Sequence, residues 1–267
     1  MQLLLPFYAF ALGAIVGSFL NVVIHRYPRE ESIVFPGSHC PHCNAAIRWY
    51  DNLPILSFLI LRARCRACHA PIAMRYMLIE LANALFYLAI FLRTGPAIAF
   101  IPIAAIASMT IVLIFIDLEI QILPDVIDLP GTAIGLAIAG FSLTPIDSDL
   151  AIARNFAESA IGAIAGAGVL LAIAGIYMLL RHVEGMGLGD VKMMAMIGSV
   201  VGWRWLFAVL MTASICGALV GITMAARSRA GLRTALPFGV FLGLAMLAIL
   251  FFGDILLAWL PTLRWGA

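Results

Sequence analysis

The chain has 267 residues, 64% of them apolar and 11% charged, where an ordinary soluble domain carries about 25% charged residues. That balance excludes a soluble globular protein, and a mean hydropathy of +1.08 means that the apolar residues run together over membrane-length stretches. A net charge of +2 gives no basis for a nucleic-acid partner and leaves membrane lipid as the surroundings, so the informative quantity is where the 16 basic residues fall.

The first apolar run is Leu3 to Ile24, with no Lys or Arg before it. It lacks the basic segment that opens a cleaved signal peptide and reads as a retained helix. Residues 25–76 are polar enough for a water-exposed loop domain. Seven further runs follow at about Met77 to Leu92, Ala97 to Ile116, Leu129 to Leu143, Ser159 to Leu180, Val191 to Phe207, Val209 to Ala226 and Pro237 to Leu260. The sixth and seventh runs are poorly separated. A β-barrel would instead show alternating segments of about ten residues. The expectation is an all-α polytopic membrane protein of about eight transmembrane helices. It divides into a first span (1–24), a cytoplasmic loop domain (25–76) and a helical bundle (77–267).

Alternate connections differ in basic content. Segments 25–76, 117–128, 181–192 and 227–236 hold seven, zero, two and three Lys/Arg, while the opposite side holds Arg93, Arg154, Arg204 and Arg264. The positive-inside bias places the first set in the cytoplasm and both termini outside. A seven-helix count would move only the C-terminus.

The loop contains Cys40-Pro41-His42-Cys43 and Cys65-Arg66-Ala67-Cys68, with 21 residues between the pairs. Two such knuckles suit one tetrahedral four-thiolate zinc ion, which is closed and therefore structural. A disulfide pair is disfavoured in the cytoplasm. His39, His42 and His69 lie beside the thiols as substitute ligands. A loop this small has too little core to fold alone, so the metal would supply much of its stability. Cys216, in the seventh run, reads as a small packing residue.

The acids are the sharper signal. Asp117, Glu119, Asp125 and Asp128 follow the apolar run Ile111 to Ile116 with no basic residue among them, and Asp190 follows three glycines in Gly185-Met186-Gly187-Leu188-Gly189. Carboxylates at membrane depth are costly and mark function. Glycines there bring backbone close to something or admit unusual torsions. A nucleotide loop would need a preceding strand, which a helical membrane chain does not supply. Two close carboxylates share a proton, so one can activate water while the other polarises a carbonyl. On these residues alone, an aspartic protease and a carboxylate-lined transporter or ion path both stay open.

Four features occur in one order: Gly17-Ser18-Phe19-Leu20-Asn21 continuing to His25-Arg26-Tyr27-Pro28, the paired CxxC loop, the Asp117 segment ending in Leu123-Pro124-Asp125, and Gly189-Asp190 within GxGD. Together they resemble the type IV prepilin peptidases, bacterial inner-membrane aspartic proteases. The resemblance implies catalytic Asp117 and Asp190, with Asp125 as the neighbouring acid and Lys192 as the basic residue after GxGD. The stretch Asp51-Asn52-Leu53-Pro54 and Glu80 also match family positions. The implied reaction is removal of the basic leader of prepilins or pseudopilins after a glycine, then methylation of the new amino terminus from S-adenosylmethionine. No Rossmann-like methyl-donor site is visible, and the transferase is placed only loosely, near the zinc loop. The stretch Thr144 to Glu158 is longer than the family pattern, and its charges Asp147, Asp149, Arg154 and Glu158 read as a solvated face.

Overall fold

The computed structural model describes residues 4–143, 150–182, 186–227 and 236–259. It is helical, and among the described residues there is no strand, only two isolated bridges. Contacts divide the chain into two compact units, Met1–Pro96 and Ala97–Ala267.

In the first unit, α1 (Leu5–Arg26) lies along α3 (Met74–Thr94), joined by the loop and the short α2 (Leu56–Ile60). Glycines let the two backbones meet. A Cβ on Gly13 would lie 2.8 Å from Ala84 Cα, and one on Gly17 would lie 2.8 Å from Glu80 Cα. Polar side chains fasten the seam: Asn83 Nδ2 donates to Gly13 O at 2.7 Å and Asn21 Nδ2 to Tyr76 O at 3.1 Å. In an apolar pair of helices such bonds fix register as well as satisfying the amides.

The second unit contains α4 (Phe100–Ile120), α5 (Asp125–Gly140), α6 (Phe156–Arg181), α7 (Leu188–Val201), α8 (Trp203–Arg227) and α9 (Phe238–Trp259). The most apolar stretch of α4 is 67% buried, against 11% for α6 and 17% for α8, so α4 is central and the other two face outward. Contacts with α5, α6, α8 and α9 hold α7 in place. At the α6–α7 seam a Cβ on Gly162 would fall on the Gly198 carbonyl, and Ser159 Oγ donates to Ser199 O at 2.5 Å.

Each of the eight apolar runs became a helix, but only five described helices, α1, α3, α4, α6 and α8, are long and apolar enough to cross a bilayer. At 1.5 Å per residue, α5 with 16 residues and α7 with 14 reach roughly 24 Å and 21 Å, short of the ~30 Å hydrocarbon core. Five crossing-length helices, against the eight expected, stand among the described residues. The sixth and seventh runs part at Gly202, earlier than the sequence suggested. Gly202 adopts φ +77°, and α8 begins at Trp203.

The Asp117–Asp128 segment is also mostly helical. It comprises the end of α4, four linking residues and the start of α5, because Gln121 at φ +55° stops one helix and Pro124 opens the next. Glu158 is no solvated charge: it is 6% exposed, paired with Arg204 at 3.2 Å and accepting from Arg154 N at 3.1 Å. Cys216 is exposed on α8 rather than packed. Asp147, Asp149 and Gly185 lie outside the described residues.

Candidate active site and metal centre

In the first unit the two knuckles are copies of one turn. Cys40 N–H bonds Ala45 O at 3.0 Å and Cys65 N–H bonds Ala70 O at 2.9 Å. Ile47 N–H closes the first copy on Ser38 O at 2.9 Å, and Ile72 N–H closes the second on Ala63 O at 2.7 Å. The residue after each pair, Asn44 or His69, takes positive φ, which folds the chain back so that both sulfurs point inward.

All four ligand sulfurs of Cys40, Cys43, Cys65 and Cys68 lie within 4.8 Å of one another. Cys40 Sγ and Cys68 Sγ are 3.8 Å apart, about the edge of a tetrahedron with ~2.3 Å Zn–S bonds. The cysteines are free thiols, and the set fits a metal ion. The N–H groups of Cys68 and then Ala67 point at the Cys65 sulfur, and a metal would hold the four sulfurs as thiolates. His39, His42 and His69 are not part of the cluster. Arg66, between the second pair of thiols, grips Asp51 through Nε at 3.0 and 2.8 Å and Nη2 at 2.6 Å. That guanidinium holds the Asp51 carboxyl below the usual carboxylate range.

In the second unit Asp117, in the last turn of α4, is 4% exposed. Its carboxylate accepts the Val240 N–H at 3.0 Å from a residue 123 positions away, and the Gly239 N–H as well. Both donors belong to the first turn of α9, whose N–H groups have no partner within the helix. Asp117 therefore caps α9 from another helix. Gly239 permits this, since a Cβ there would sit 2.8 Å from Asp117 Oδ2.

Asp190 occupies the first turn of α7, where the helix dipole favours a negative charge. Leu123 links the two acids: a Cβ on Gly189 would lie 2.9 Å from Leu123 Cβ, and one on Gly239 would lie 3.1 Å from Leu123 Cδ1. Asp117 and Asp128 both lie within electrostatic reach of Asp190. Gly189 is thus the glycine of GxGD that close approach requires, whereas Gly187 has ordinary torsions and a Cβ there would meet Gly189 N at an ordinary 3.9 Å.

Lys192, the chain's only lysine, is held by Asp125 at 2.6 and 2.7 Å in an exposed pair. Asp128 was not singled out from the sequence. It is fully buried, neither carboxyl oxygen has a partner, and it lies within electrostatic reach of Asp125, Lys192 and Asp190. Its spacing after Asp125, one helical turn, was the signal that put it on the same face.

Residues 11–94 match the profile described as Bacterial Peptidase A24 N-terminal domain, and residues 104–222 match the Type IV leader peptidase family. A Burkholderia pseudomallei (strain 1026b) protein named prepilin leader peptidase/N-methyltransferase is 36% identical over 271 residues, covering 92% of this chain and 85% of that protein. The chain belongs to the type IV leader peptidase family. An Aeromonas hydrophila member of the same name is 34% identical, with 95% of this chain and 92% of the relative covered. A Myxococcus xanthus (strain DK1622) member reaches 41% identity over 85% of this chain but 65% of its own length. No solved structure matches.

Proposed function

We propose that the chain is a membrane aspartic endopeptidase that removes the leader of type IV prepilins or pseudopilins after a glycine, and then methylates the exposed amino terminus. One observation carries the peptidase: a buried carboxylate fixed by backbone donors, Asp117, within electrostatic reach of a second acid, Asp190. The names of the relatives favour this reading over a carboxylate-lined transporter.

The two acids share one proton in this reading. The backbone N–H of Val240 holds the Asp117 carboxylate in place, so in this reading Asp117 is the base and Asp190 carries the shared proton. Asp117 then takes a proton from water as the water attacks the scissile carbonyl, and Asp190 polarises that carbonyl. The excess of basic residues on one side supports a cytoplasmic face of the inner membrane for this chemistry.

Cys40, Cys43, Cys65 and Cys68 would hold zinc as a closed structural site. S-adenosylmethionine, when bound, supplies the methyl group that the new amine takes up.

A prepilin-type substrate presented to the purified enzyme tests the assignment. Asp117→Asn and Asp190→Asn should each lower leader removal by at least about 10²-fold. Intact cleavage in either variant would remove that residue from the pair.

A further inference from the structure

Between the cysteine knuckles the first unit carries a short apolar helix with one face exposed. In α2, Leu56, Leu59 and Ile60 stand at i, i+3 and i+4 and so share one side of the turn. They are 57%, 59% and 71% exposed, and three large aliphatic side chains on one turn are stabilised by an apolar cover. The helix is also held at membrane depth. Ile55, immediately before it, donates its N–H to Glu80 Oε2 at 2.8 Å, and the Ser18 hydroxyl of α1 bonds the same carboxylate. Glu80 lies six residues into α3, roughly 9 Å along it at 1.5 Å per residue, and Ser18 lies eight residues before the end of α1. Both helices are of crossing length, so the loop folds back along them instead of standing clear in water. An interfacial helix seats its apolar face about 5–10 Å into the boundary between headgroups and acyl chains, the depth that Glu80 gives α2.

A basic rim follows directly. Arg62 and Ala63, at φ 51° and 56°, turn the chain back after α2, and Arg62, Arg64, Arg66 and His69 line a cavity of about 490 Å³ with Ile60 and Leu61 in its wall. Arg66 is committed to Asp51. Arg62 and Arg64 are exposed and form no ion pair among the described residues. A guanidinium presents a planar fork of donors that matches phosphate oxygens.

We propose that α2 together with Arg62 and Arg64 is a docking site for an anionic phospholipid of the surrounding bilayer, with the phosphate on the arginines and an acyl chain against Leu56, Leu59 and Ile60. Charge and depth select this occupant. The basic leader of a prepilin would meet like charge at the arginines, and a soluble phosphate would leave the apolar face uncovered. A bound lipid ties the cysteine loop to the bilayer beside α1 and α3. Hydrogen exchange of the full-length protein with its metal, in nanodiscs of phosphatidylcholine alone or of an equal mixture with phosphatidylglycerol, tests the site. The N–H groups of Leu59, Leu61, Arg62 and Ala63 bond within the turn and should exchange at least about tenfold more slowly in the mixed discs. Arg62→Gln with Arg64→Gln should keep its zinc and lose the difference between the discs. Leu59→Ser with Ile60→Ser should exchange at the faster rate in both.

A parent that exchanges equally in the two discs, or either paired variant that holds its zinc and keeps the difference, would overturn the site. If the paired arginine variant loses its zinc, Arg62→Gln alone decides: a difference cut at least about threefold supports the proposal, and an unchanged one overturns it. Glycerol phosphate that slows exchange in phosphatidylcholine discs as much as phosphatidylglycerol does would assign the arginines to a free anion. Slowing that requires an added prepilin-type substrate would assign the face to the substrate. Either result overturns lipid docking.

Discussion

The same substitution at two points on α6 should act with opposite sign. At Gly162 a methyl group would fall on the Gly198 carbonyl and lie 2.9 Å from both Cα and C of Gly202, where carbon atoms rest at about 3.5–4.0 Å. The obstructing atoms are backbone, so no side chain can rotate away and α6 must separate from α7. Overpacking of this kind costs about 1–3 kcal/mol, and relief of helical glycine returns only about 0.5–1 kcal/mol. Gly162→Ala should therefore lose about 1–2 kcal/mol net. At Gly168, in the same helix, nothing lies within 4 Å of the added carbon, so Gly168→Ala should gain about 0.5–1 kcal/mol. At roughly 2–4 °C per kcal/mol, the unfolding midpoints in detergent should move apart by several degrees. Midpoints that move together, or a Gly162→Ala more stable than the parent, would refute the close α6–α7 seam on which the placement of α7, and hence of Asp190, depends.

Metal analysis of the purified chain should find about one zinc. Its removal by chelation, or Cys40→Ser with Cys43→Ser, should unfold the loop of the first unit, which hydrogen exchange at the knuckles would detect; unchanged protection would refute the metal staple. Arg204→Met should cost about 1–3 kcal/mol, because the Glu158 carboxyl, 7% exposed, loses its guanidinium partner; an unchanged unfolding midpoint would place Glu158 in water. Asp128→Leu should hold or raise the midpoint, since both oxygens of Asp128 are buried without partners and an apolar group of similar size removes that penalty. A lower midpoint would mean that the carboxyl is satisfied in the folded protein.

The sequence was most legible where the physics is local. Eight apolar runs became eight helices because in lipid a run of that length has no other way to satisfy its backbone. The cysteine knuckles were readable because each turn is built from adjacent residues. Gly239 and Gly243 stand four residues apart in the sequence, but the spacing does not reveal the face that meets α4, where a Cβ on Gly239 would touch Asp117 and one on Gly243 would touch Ile114. Capping of α9 by Asp117 spans 123 positions and leaves no local trace. Glu158 was misread because a polar-looking stretch does not reveal that Arg204, beginning the next helix but one, turns back to pair with it. The break at Gly202 was hidden inside an apolar run, where only the torsion and not the composition changes.

In the proposed reaction Asp117 and Asp190 act as one unit. Leader removal from a prepilin-type substrate should be measured for Asp117→Asn, Asp190→Asn and the double variant, each with a parent-like unfolding midpoint. Groups that share one proton and one water fail together, so each single variant should lose about as much activity as the double, at least about 10²-fold. Single losses that multiply to give the double, or a single variant that still cleaves, would contradict a shared site.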